Sequence, residues 1–167
     1  MFWFIIIFVA LLLIFGFLVM AVAIQGAPFV PTSRKKMAVI KRFACAQPKA
    51  KVADLGSGDG RLMVAIAKSG IIVHGYEINP GLIFISRLWI RLLGLQKKAL
   101  VYNKSFWNVD LSSYDVVVVY GIDYIMERLE KKLLKELKPG ARAISNNFKF
   151  PNWKYREKKD RIFLYIK

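Results

Sequence analysis

Residues 51–62 read KVADLGSGDGRL, which sets Asp54, Gly56, Gly58 and Gly60 at alternate positions. Glycines at that spacing allow positive φ and remove the Cβ atoms that would hold a ligand away. The backbone N–H groups they expose favour an electron-rich or anionic partner. A dinucleotide fold needs G-x-G-x-x-G, so that a pyrophosphate meets a helix N-terminus. Here the spacing is G-x-G-x-G, and Asp54, two residues ahead of the first glycine, would repel a pyrophosphate. The same carboxylate suits a ligand that carries an ammonium group. Glu77, in HGYEINP, follows Gly58 by nineteen residues and can accept both hydroxyls of a ribose.

The elements around these residues must bring the two acids to one edge. Residues 51–55 read as a buried strand. Residues 59–69 read as a helix with Leu62, Ala65 and Ile66 inward, closed by Gly70, and Gly60 lets that helix begin close against the sheet. A second strand spans 71–76. Asn79-Pro80 supplies an N-cap and an N1 proline for a helix running to Gly94. Residues 99–103 make a third strand, and 114–120, with VVVV inside, a fully buried fourth. A helix over 122–137 and a fifth strand over 141–146 follow. Residues 153–157 and 161–167 pair as a hairpin across EKKDR. This order predicts an α/β fold with a mainly parallel sheet and a C-terminal antiparallel hairpin. In such sheets a ligand sits beyond the carboxyl ends of the strands, where the glycine loop lies.

Residues 1–24 contain no charged side chain, and a helix of that length crosses a hydrocarbon core of about 30 Å. A cleaved signal peptide would have a basic start and a shorter apolar run, whereas this chain begins MFWF. Residues 1–25 are therefore expected to form a transmembrane anchor, 26–45 a linker and basic juxtamembrane helix, and 46–167 the α/β domain. Within the middle segment Thr32 or Ser33 caps a helix to about residue 44, with Met37, Ile40 and Phe43 on one face. Every charged residue lies beyond residue 33, so the whole net charge of +16 belongs to residues 34–167. By the positive-inside rule SRKKMAVIKRF (33–43) keeps the domain on a cytoplasmic or matrix-like face of a single-pass membrane protein. Membrane lipid is the expected partner of the helix and the basic segment; nucleic acid is the competing partner for so basic a chain. Cys45 is the lone cysteine, so there is no disulfide framework.

A cationic amino-acid end joined to a ribose describes S-adenosyl-L-methionine. D-x-G-x-G-x-G after the first strand, with an acid ending the second, resembles the Rossmann-like class I methyltransferases. The likeness extends further. FVPT (29–32), DLGSGDGR (54–61), GYEINP (75–80), the Trp107 segment, LEKKLLKEL (129–137) and FKFPNW (148–153) follow an apolar helix in this order. Together they resemble the small membrane-anchored protein-lysine methyltransferases of the mitochondrial type. Members of that family methylate the ADP/ATP translocase or the ATP synthase c-subunit. The resemblance implies cofactor contacts from Thr32, Asp54, Gly56, Ser57, Gly58, Gly60, Glu77 and Ile78, and from Ser105, Phe106 and Trp107. It also implies a lysine acceptor on an integral membrane protein. The chain departs from its relatives at Ser105-Phe106-Trp107, where they carry an Asp-Leu-Trp whose acid holds adenine; Asn108 or Asp110 stands in reach as a substitute. It departs again at Lys149 and Asn147, near the expected acceptor side.

Methyl transfer to an amine needs aromatic walls and one or two oxygens to steer the acceptor. Tyr120, Asp123 and Tyr124, in YGIDY past the fourth strand, are the catalytic candidates. Each has a plainer reading: the tyrosines as core or rim aromatics, Asp123 as a helix cap. Trp107 either lines an adenine pocket or packs a turn, Trp153 either packs the hairpin or rims the site, and His74 reads as structural. No metal signature, Ser-His-Asp set or H-E-x-x-H occurs, and no N/D-P-P-Y/F follows the fourth strand. Protein-lysine methylation, lipid or small-molecule methylation, nucleic-acid methylation and cofactor binding without turnover all remain open at this point.

Overall fold

A computed structural model describes residues 3–4, 6–10, 12–13 and 31–167, and one seven-stranded sheet organises the larger of these segments. Its strands are β1 (Lys51–Leu55), β2 (Ile72–Glu77), β3 (Ala99–Asn103), β4 (Val116–Val119), β5 (Arg142–Asn146), β6 (Glu157–Lys159) and β7 (Ile162–Ile166). They lie in the order β3-β2-β1-β4-β5-β7-β6. The first five pair parallel, and β7 pairs antiparallel with β5 and with β6. The helices of this segment are α1 (Arg34–Ala44), α2 (Arg61–Ala67), α3 (Pro80–Leu92) and α4 (Asp123–Glu136), with a 3-10 turn over Phe106–Asn108. This is the mainly parallel sheet with a C-terminal hairpin that the alternation of strands and helices predicts.

Both faces of the sheet are covered, which is why its central strands are apolar without alternation. All four residues of β4 are buried. Val52, Val116 and Val118 join one core with buried residues of α1, α2 and α3. Ala53, Leu55, Val117 and Val119 join the other, with Met126, Leu129 and Leu133 of α4 and the aromatic group Phe150, Phe163 and Tyr165. Successive strand residues thus feed opposite layers, as the pleat requires.

Helix α1 buries Val39, Ile40, Phe43 and Ala44 in the first core, and residues 31–167 form one compact unit. Helix α1 belongs to that unit because its apolar stripe packs on the sheet. The hairpin strand expected over 153–157 lies instead at Glu157–Lys159, so that EKK is strand rather than turn. The turn is Asp160-Arg161, both at positive φ (49° and 62°), the geometry that matches strand twist in a two-residue hairpin. Trp153 is drawn out of the ladder onto Phe150 and Tyr165, at ring distances of 5.6 and 5.2 Å. The anchor expected over 1–25 lies for most of its length outside the described residues. Among the described residues no helix is long and apolar enough to cross a membrane.

Gly60 is the N-cap of α2, at φ 79°. A Cβ built there would stand 2.7 Å from Cβ of Ser86 on α3, so the close approach it permits is to that helix and not to the sheet. Gly70 has φ 81° and open space around it. Gly70→Ala therefore bears only the left-handed backbone penalty, about 1–2 kcal/mol. Gly60→Ala bears that and overpacking, together about 2–5 kcal/mol. Urea denaturation midpoints at equal m-value measure both; equal losses at the two sites would show that α3 gives way.

Candidate functional site

Chain order along the sheet reverses between β1 and β4, and the carboxyl ends of those strands mark the switch point. Tyr76, Leu55, Val119 and Ser145 are in register across β2, β1, β4 and β5. The residues that follow them, Glu77, Gly56, Tyr120 and Asn146, therefore stand side by side along one edge, Glu77 and Asn146 as the last residues of their strands.

The glycine loop is tied down on its β2 side. Gly56, Gly58 and Gly60 all have positive φ. The N–H groups of Gly56 and Ser57 donate to the Tyr76 carbonyl, at 2.9 and 3.2 Å. Glu77 closes the loop: its Oε2 accepts from Gly58 N–H at 2.9 Å, and its Oε1 accepts from Ile78 and Asn79 N–H at 2.8 and 2.9 Å. A carboxylate offers about four acceptor sites, so a diol reaching Glu77 meets one open site rather than two. Gly75, which composition alone does not single out, makes this packing possible. A Cβ there would lie 2.2 Å from Met63 Sδ and 2.6 Å from Ser57 Oγ. Ser57 Oγ is buried and has no hydrogen-bond partner among the described residues.

Asp54, at the end of β1, is buried, and no hydrogen bond to its carboxylate occurs among the described residues. Burial pushes its pKa up to about 7, with smaller contributions from the negative charges of Glu77 and Asp59. Near neutral pH this carboxyl is divided between its two forms, and a cation arriving beside it draws the ionised one. The bare loop, the unpartnered acid and the second carboxylate at one edge fit a ligand with a cationic head and a polar sugar.

On the other side of the switch point lies a polar group that sequence reasoning captured only in part. Asn146 is buried, its Nδ2 donates to Thr32 Oγ1 at 3.3 Å, and its Oδ1 has no partner among the described residues. Asn147 Nδ2 donates to the Tyr120 hydroxyl at 2.7 Å, and the Lys36 ammonium donates to Asn147 Oδ1. Desolvation, then the Arg161 charge, lowers the pKa of Lys36. Tyr120 and Thr32 thus belong to this cluster; Asp123 and Tyr124 do not. Asp123 is the exposed first residue of α4, and the N-cap is Ile122, without a side-chain cap bond. Tyr124 is 81% exposed. The pair Asn146-Asn147 at a strand end was the available signal; Lys36 gave none, since nothing local tells that α1 reaches β5.

Ser105, Phe106 and Trp107 form the 3-10 turn and its cap beyond β3. Trp107 packs on Phe106 (4.8 Å) and carries the Arg128 guanidinium 4.2 Å over its ring. Of the two substitutes for a missing acid, Asp110 accepts from Ser112 N–H and Oγ–H at 2.9 and 3.0 Å, and Asn108 is exposed. His74 bonds the Tyr114 hydroxyl through Nδ1 at 2.8 Å, and burial pushes its pKa down, as a structural histidine. No metal-holding cluster occurs among the described residues.

These features define a class I methyltransferase fold. A structure of an RNA methyltransferase from Salinibacter ruber, in complex with S-adenosyl-L-homocysteine, superposes with a TM-score of 0.75 at 25% identity, covering 81% of this chain and 91% of that one. The family model of the ANTKMT methyltransferase domain matches residues 54–157, and the chain belongs to that family. It is 41% identical to the human lysine N-methyltransferase of the ATP synthase c-subunit, over 75% of this chain and 54% of that protein. It is 34% identical to the mouse adenine nucleotide translocase lysine N-methyltransferase over 93% of this chain and 69% of that protein. The chain thus spans about half the length of the human relative.

The raised pKa of Asp54 fixes a sign. The native state holds this proton more tightly than the unfolded chain, so the contribution is fully present below about pH 4 and is lost as pH rises through about 7. Asp54→Asn, which mimics the protonated acid, is expected to remove that slope. The difference in denaturation midpoint between wild type and D54N should shift in the variant's favour from pH 5 to pH 8. A difference independent of pH would place the Asp54 pKa near its ordinary value.

Proposed function

We propose that the chain is an S-adenosyl-L-methionine-dependent methyltransferase acting on a lysine side chain of a membrane protein. The observation that carries the reading is Asp54, the positive-φ glycine loop and Glu77 at adjoining strand ends, in a family with lysine methyltransferases among its relatives. S-adenosyl-L-methionine supplies an electrophilic methyl group on a sulfonium. Asp54 would meet its ammonium group, Glu77 its ribose, and Ser105 to Trp107 the adenine end. We further propose that residues 1–25 tether the domain, on the cytoplasmic or matrix-like side, in the plane where a membrane protein's loop is within reach.

The chain's own task is then to deliver a neutral amine in line. At a pKa near 10.4, deprotonating lysine at pH 7 costs about 4–5 kcal/mol. Desolvation offsets part of that, and so does a neighbouring positive charge such as Lys36. Asn146 Oδ1 is a buried acceptor without a partner among the described residues, and Tyr120 Oη lies one strand away; both suit an N–H of the incoming amine. Alignment of this kind supplies most of the acceleration in a displacement with a good leaving group.

The test incubates the full chain with methyl-labelled cofactor and native membranes. Label in protease-sensitive material, recovered as methylated lysine after hydrolysis, is the expected result. Label extracted into chloroform would replace the acceptor by a lipid. Label in RNA would favour the second reading, nucleic-acid methylation, which the net charge of +16 and the Salinibacter likeness recommend. Asn146→Ala is expected to lower turnover about ten- to a hundredfold, with S-adenosyl-L-homocysteine affinity held within about twofold. Unchanged turnover would remove Asn146 from the acceptor side.

A further inference from the structure

Helix α3 buries only Ile83, Ser86 and Ile90, which share one narrow arc of its circumference. The opposite arc should be polar on an ordinary surface helix. It carries Phe84, Ile85, Leu88, Trp89 and Leu92 instead, each between 41% and 75% exposed. The spacing 84, 85, 88, 92 is itself an amphipathic stripe, aimed away from the core. The only charged residues of the helix, Arg87 and Arg91, stand together on one flank, beside the edge strand β3. Arg87 donates to the Val101 carbonyl of β3 at 3.0 Å. With Gln96 and Leu100, the two arginines line an open cleft of about 360 Å³ between helix and strand.

Charge identifies the occupant. From residue 78 to residue 109 the chain has no Asp or Glu and five cations, Arg87, Arg91, Lys97, Lys98 and Lys104. A second copy of the same face would bring Arg87 and Arg91 up against a like-charged segment with no acid in it, and is disfavoured. An aromatic and aliphatic face flanked by arginine is the pattern of a helix lying in the headgroup boundary of an anionic bilayer. We infer that the outward face of α3 is a membrane-docking surface: Phe84, Leu88, Trp89 and Leu92 enter the acyl boundary of an anionic bilayer, and Arg87 and Arg91 hold a lipid phosphate at the adjoining cleft. This contact is separate from any anchor at residues 1–25 and does not depend on methyl transfer.

The experiment uses the full chain reconstituted into phosphatidylcholine vesicles with and without about a quarter phosphatidylglycerol. In a Cys45→Ser background, Leu88→Cys carries a nitroxide, and Lys68→Cys, on the exposed end of α2, serves as the aqueous control. Oxygen and nickel-chelate accessibilities are read by power saturation. On anionic vesicles the label at 88 is expected to gain oxygen and lose nickel accessibility severalfold, while that at 68 stays aqueous. Phosphatidylcholine alone, or Arg91→Glu with Lys97→Glu and Lys98→Glu, should abolish most of the change. A label at 88 as exposed to nickel as that at 68 would overturn the proposal. So would protection that appears without lipid and brings dipolar broadening between copies, since the face would then join two chains.

Discussion

The arrangement depends on one carboxylate. Glu77 accepts three backbone N–H groups, from Gly58, Ile78 and Asn79, and so joins the glycine loop after β1 to the start of the segment that follows β2. Hydrogen bonds to a charged group contribute about 1.5–3 kcal/mol each, and N–H groups left without partners cost a comparable amount. The loop cannot relax away, because Gly75 lets Ser57 lie on β2 and Gly60 lets the loop's far end touch Ser86. Position and reactivity of the site therefore share one cause: small residues at the contacts and an acid at the centre.

That cause sets up an electrostatic tension. A chain of net charge +16 gathers Asp54, Asp59 and Glu77 around one loop, and two of them help to raise the pKa of the third. A phosphate-bearing nucleotide would be attracted by the molecule as a whole and refused at the loop. A ligand whose charge near the loop is positive removes the desolvation burden of Asp54 and the repulsion at once. Selection between nucleotide classes thus comes from local sign against a contrary global field.

Much of this could be read from residue order. The unbroken apolar strands, the Asn79-Pro80 start of α3 and the glycine loop are local signals, and each element formed where its own residues require it. Asn79, for example, caps α3 by accepting from Gly81 and Leu82 N–H. What escaped was tertiary. Whether the stripe of α1 meets a membrane or a sheet depends on what lies opposite, and Lys36 meets Asn147 across 111 positions. Tyr120, Asp123 and Tyr124 sit within five residues, yet the change from strand end to helix turns only the first toward Asn147. The hairpin begins later than expected, and Trp153 packs on Phe150 and Tyr165 instead of pairing in a ladder.

Helix α3 connects these levels. Its inner arc is fixed by Ser86 against Gly60 and by Ile83 and Ile90 in the core, while its outer arc buries nothing among the described residues. It begins three residues after Glu77, so a surface laid along its outer face stands one helix diameter, about 10 Å, from the elements that hold the glycine loop. Such an element answers differently to change on its two sides. Replacing Ser86 by a larger residue would press on Gly60, and replacing the outer residues by polar ones would leave the fold unaltered while removing whatever the face is for. The apolar residues that the core does not use are therefore the part of α3 that the fold alone does not explain.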